Sequence, residues 1–93
     1  MPIDPELARL RRRMDAINRR LVDALHARAQ LCRAIGRWKS ARGLPAIDRV
    51  RERQMLATLL RQLPRDGFAR KDLVTIVSAV FAASRRLVKK RVR

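Results

Sequence analysis

The sequence predicts an all-α protein of three helices: a long first, a short second and one of intermediate length. Apolar residues recur at alternating steps of three and four along three segments, which is the spacing of one helical face. No segment alternates in the manner of a half-buried strand, and the chain breakers gather between the segments, at Gly43 to Pro45 and Pro64 to Gly67. At 93 residues and 47% apolar content the chain fits one domain, residues 1–93, too short for two cores and too apolar for disorder.

In the first segment, Leu7, Leu10, Met14, Ile17, Leu21, Ala24, Leu31, Ile35 and Trp38 form one seam. Asp4 stands where a cap is needed and Pro5 suits a first turn, so the helix is expected from about residue 5 to about residue 41. At 1.5 Å per residue that segment extends about 55 Å, whereas a compact chain of this length is about 32 Å across. The overhanging seam has to pack on something else, and a second copy of the chain supplies a matching surface. Helix length alone therefore predicts a homodimer.

Asp48 heads the second helix, whose apolar residues are Met55, Leu56, Leu59, Leu60 and Leu63, and Pro64 ends it. The third stripe comprises Leu73, Ile76, Val77, Val80, Phe81, Ser84, Leu87 and Val88, followed by a basic tail, Lys89 to Arg93, expected to fray.

Lys+Arg 24 against Asp+Glu 8 gives a net charge of +16, which points to an anionic partner without saying which. The arginines are scattered over all three helices, and 3% aromatic residues are too few for a base-stacking platform. Nucleic-acid binding, through Arg11-Arg12-Arg13 or the run from Arg85 to Arg93, stands as the non-enzyme alternative. One cysteine excludes an intrachain disulfide, and no apolar run reaches the roughly 20 residues that span a bilayer, so no membrane partner is expected. Without a visible secretory signal, the cytoplasm is the expected compartment. His26 has no metal-ligating neighbour at ligand spacing, and no zinc spacing, phosphate loop or nucleophile-base set occurs, so no cofactor is expected.

Polar residues interrupt the apolar pattern at informative places. The position four beyond Ala24 is Arg28, where a guanidinium is costly unless an anion meets it or its stem reaches water. Arg28, Cys32, Ile35 and Lys39 share that face, so two cations flank a small apolar patch. Asp48, Arg51, Glu52 and Met55 share a face of the second helix, where Asp48 serves equally well as a plain helix cap. Ser84 interrupts the third stripe and can simply bond its own helix backbone.

Together, Leu10-Arg11, Ile17, Leu21, Arg28, Ile35-Gly36, Lys39, Pro45, Asp48, Arg51-Glu52 and Ser84-Arg85 resemble the all-helical chorismate mutase family in order and spacing. The resemblance covers nearly the whole chain, and Asp48 to Glu52 after Gly43 and Pro45 is its most specific part. It implies an intertwined helical homodimer with shared sites that rearranges the dicarboxylate chorismate to prephenate without cofactor or metal. By matching positions, Arg28 and Arg11 are expected on the substrate carboxylates, Arg11 from the other protomer, and Lys39 on a carboxylate and the ether oxygen. Asp48 and Glu52 would hold the ring hydroxyl, Arg51 would order that acidic pair, and Ser84 would contact a carboxylate. Cys32, Ile35, Met55 and Phe81 would form the apolar wall.

The departure from the family is Val88, where the resemblance calls for a glutamine or glutamate on the ether oxygen. Losing a donor aimed at developing charge costs on the order of 3 kcal/mol in barrier, so Val88 implies a slow mutase, a rerouted site or another substrate. Two diversions within the family are a mutase acting on 4-amino-4-deoxychorismate and a lyase that removes pyruvate from isochorismate. The lyases depart from the Asp48 and Glu52 pattern kept here. No regulatory segment is evident, which leaves a partner enzyme of the same pathway as the other source of control.

Overall fold

The computed structural model describes residues 4–89, without the side chain of Lys89. The helices, in chain order, are α1 (Pro5–Ser40), α2 (Arg49–Leu60) and α3 (Arg70–Lys89), and no strand occurs among the described residues.

Each helix boundary has a local cause. Asp4 Oδ1 accepts from the Glu6 N–H at 2.7 Å and its carbonyl receives the Ala8 N–H at 3.0 Å, so Asp4 caps α1 with Pro5 as the first helical residue. At the other end Gly43 takes φ 67°, a left-handed conformation that costs little without a Cβ. Its N–H reaches the Ser40 carbonyl at 3.2 Å, while the Leu44 N–H reaches the Lys39 carbonyl at 2.9 Å. This paired closure stops α1 at Ser40, one residue before the sequence expectation, and fixes the last turn that carries Lys39.

Asp48 caps α2, its side chain accepting from the Arg51 N–H at 3.0 Å. α2 stops at Leu60, short of the expected end at Pro64. A proline at position 64 would drive its ring into the carbonyl of residue 60 if the helix continued, and it pushes Leu63 out of the α region. The expectation that the tail frays concerns mainly residues 90–93, which lie outside the described residues.

The described residues fall into two compact units that divide between Leu31 and Cys32. The first carries most of α1 and leaves its seam open: Leu7, Leu10, Met14, Ile17, Leu21 and Leu31 are all exposed. In the second, α2 packs on α3. Phe81 lies in that contact and, among the described residues, is the only buried side chain, at 7% exposure. Trp38 is 54% exposed, with the Arg42 guanidinium 3.9 Å over its ring, so it does not fill a seam within the chain. No helix among the described residues is long and apolar enough to cross a membrane.

Candidate active site

The first unit carries two of the predicted site residues, Arg11 and Arg28. Both lie on α1, 17 positions apart, which at 1.5 Å per residue separates their Cα atoms by about 26 Å. Arg28 is half-buried and Arg11 is exposed.

The second unit carries the remainder. On α1, Lys39 and Cys32 are half-buried and Ile35 is 46% exposed. Asp48 is exposed and its carboxylate caps α2, the plain role that the sequence left open for it. Arg51 is exposed, Met55 is half-buried, and the Ser84 hydroxyl donates to the Val80 carbonyl at 2.8 Å. That bond follows the local preference of a serine in a helix interior, and a second acceptor would have to compete for the same proton.

Glu52 is placed differently from the sequence expectation. Arg51 reaches Asp48 through its backbone N–H, whereas the Glu52 carboxylate is met by Arg85 of α3, whose Nη1 donates to Oε1 at 2.5 Å. Both side chains are largely sheltered, at 17% and 24% exposure, so this charged hydrogen bond is screened less than a surface pair. Glu52 and Phe81 line one small cleft between α2 and α3, of about 200 Å³, together with Arg49, Arg53, Ser78 and Arg85.

Arg85 belongs to the pattern that resembles the family but has no expected role at the site. A signal was present: it stands four beyond Phe81 and three before Val88, on the inward stripe of α3 where a guanidinium needs an anion.

Val88 lines a second, larger groove of about 660 Å³ beside the C-terminal end of α1, with Gly36, Leu44 and Leu87 and the cations Arg33 and Arg37 at its edge. The structure thus brings Glu52 and Phe81 together and sets Val88 against Gly36. Lys39, Asp48, Arg51 and Met55 line neither groove.

Comparison with known proteins gives this arrangement its context. The family model for chorismate mutase type II matches residues 10–89. A solved chorismate mutase from Thermus thermophilus, in its form I, is 33% identical, with 85% of this chain and 98% of that chain covered and a TM-score of 0.81. Form II of the Thermus enzyme is 32% identical, with 90% and 94% covered and a TM-score of 0.85. No curated protein matches the chain. The family match spans all three helices and the structural likeness holds at an identity that carries more than fold, so the chain belongs to the chorismate mutase type II family, an all-α family of isomerases.

Proposed function

We propose that the chain rearranges chorismate to prephenate at a site of arginines and one lysine shared between two copies. The family match over residues 10–89 carries this reading. The reaction is pericyclic: the ether C–O bond breaks as a new C–C bond forms, six electrons move within one molecule, and no proton or group is transferred. A protein has then to hold the reactive chair and stabilise negative charge growing on the ether oxygen. Fixed guanidinium and ammonium groups do both.

In this reading Arg28 and the other protomer's Arg11 hold the substrate carboxylates, and Lys39 donates to a carboxylate and to the ether oxygen. Asp48 and Glu52 meet the ring hydroxyl, Arg51 adds positive potential beside them, and Ser84 contacts a carboxylate. Cys32, Ile35, Met55, Phe81 and Val88 form the apolar wall. The separation of about 26 Å between Arg11 and Arg28 supports a contribution from a second chain, because one chain cannot bring both to one small dicarboxylate. The open seam of the first unit, from Leu7 to Leu31, supports the same pairing, since apolar surface of that kind marks an interface.

With Val88 unable to donate, Lys39 becomes the side-chain donor on the ether oxygen. Lys39→Ala is expected to lower kcat by about a hundred- to a thousandfold while circular dichroism and sedimentation stay those of the parent. Near-normal turnover in a folded Lys39→Ala dimer would overturn the assignment. A transition-state analogue that raises the Tm of the parent protein would favour the mutase reading over nucleic-acid binding, which would instead weaken steeply with salt.

A further inference from the structure

We propose that Arg85 is a specificity-determining residue, one that sets the site's preference for a neutral ring hydroxyl over an ammonium by placing a positive charge beside Glu52. The proposal rests on the reading of Glu52 as the residue that meets the ring substituent. Its own observation is the contact between Arg85 Nη1 and Glu52 Oε1 at 2.5 Å, made between helices and largely sheltered from water.

Two carboxylates, Asp48 and Glu52, would by themselves suit a cation at the ring substituent. That is the chemistry of the 4-amino-4-deoxy analogue of chorismate, whose substituent is an ammonium. Arg85 changes the balance. It sets a positive charge beside Glu52 and occupies Oε1, which keeps Oε2 as the acceptor that a hydroxyl requires. Arg49 and Arg53 line the same cleft, so three arginines and one carboxylate share its lining. A neutral hydroxyl donates into that setting without adding charge, whereas an ammonium entering it meets excess positive potential.

The test compares chorismate with its 4-amino-4-deoxy analogue in the full-length protein. The readout is the ratio of the two kcat/KM values, or of 1/Ki for the analogue where it binds without turnover. Arg85→Gln is expected to move that ratio toward the ammonium compound by about tenfold, the scale of one sheltered charged hydrogen bond. Arg85→Lys, which keeps the charge, is expected to hold the parent ratio. Because Arg85→Gln leaves Glu52 sheltered without its partner and could unfold, the same comparison is made between Glu52→Gln and the double variant Glu52→Gln/Arg85→Gln. There too, loss of the cation must move the ratio toward the ammonium.

Arg85 variants that lower both compounds equally, with the ratio unchanged in either background, would overturn the proposal and leave the ion pair a structural tie between α2 and α3. A Glu52→Gln variant that leaves both compounds unaffected would instead overturn the placement of Glu52 itself, and with it the basis of the proposal.

Discussion

Gly36 of α1 and Val88 of α3 approach so closely that a Cβ placed on Gly36 would lie 3.0 Å from Val88 Cγ1. Few side-chain contacts are this tight. Gly36 sits within a helix, where glycine costs about 1 kcal/mol relative to alanine, and the close passage of Val88 accounts for it. The residue that departs from the family pattern is thus tied to a neighbour that leaves it room.

Gly36→Ala tests that tie. Valine has one strongly preferred χ1 rotamer in a helix and yields poorly, so the overpacking penalty should exceed the propensity gain. A net loss of about 1 kcal/mol is expected, read as a lower denaturant midpoint with an unchanged m-value. Adding Val88→Ala should return stability to the parent level or above. A Gly36→Ala variant more stable than the parent would show that the contact relaxes freely.

Val88→Gln should raise turnover of chorismate. Glutamine carries an amide donor and lacks the β-branch that crowds Gly36, and one donor on the developing oxyanion is worth about a hundred- to a thousandfold in kcat. Steady-state kinetics decide the point. An unchanged or lower rate would mean that Val88 is adapted to another substrate or another approach to the ether oxygen.

Arg11 acting across the dimer predicts complementation. Chains carrying Arg11→Ala and chains carrying Lys39→Ala should each be inactive as homodimers, and mixed heterodimers should regain up to about one intact site in two. Sedimentation of the parent protein at micromolar concentration should give a dimer. A stable monomer, or heterodimers without activity, would remove the shared site.

Asp48 serves α2 as a cap, and the proposed site gives it a second task. Asp48→Ser keeps a capping oxygen and loses the carboxylate, whereas Asp48→Ala loses both and should cost about 1 kcal/mol of stability. With Asp48→Ser, stability close to the parent and a raised KM for chorismate are expected. An unchanged KM would reduce Asp48 to its capping role.

The fold was legible because its determinants are local. Asp4 with Pro5, Gly43 with Leu44, and Asp48 each act within a few residues of a helix end, and the steps of three and four mark the faces between them. α2 ends earlier than the position of Pro64 suggests because a proline acts on the residues before it, stopping the helix at Leu60. Residue types in order suggest a candidate site, but they do not disclose its pairings. The partner of Glu52 is Arg85, 33 positions away on another helix, a distance that periodicity along one helix does not reach. The passage of Val88 against Gly36 belongs to the same class of tertiary relationship.

The most direct measurement is the product formed when purified protein is incubated separately with chorismate, isochorismate and 4-amino-4-deoxychorismate, each resolved by chromatography and identified by mass. Prephenate is expected from chorismate at a rate proportional to enzyme and lowered about a hundred- to a thousandfold by Lys39→Ala. Chorismate returned unchanged under conditions where the protein is folded and dimeric would contradict the mutase reading.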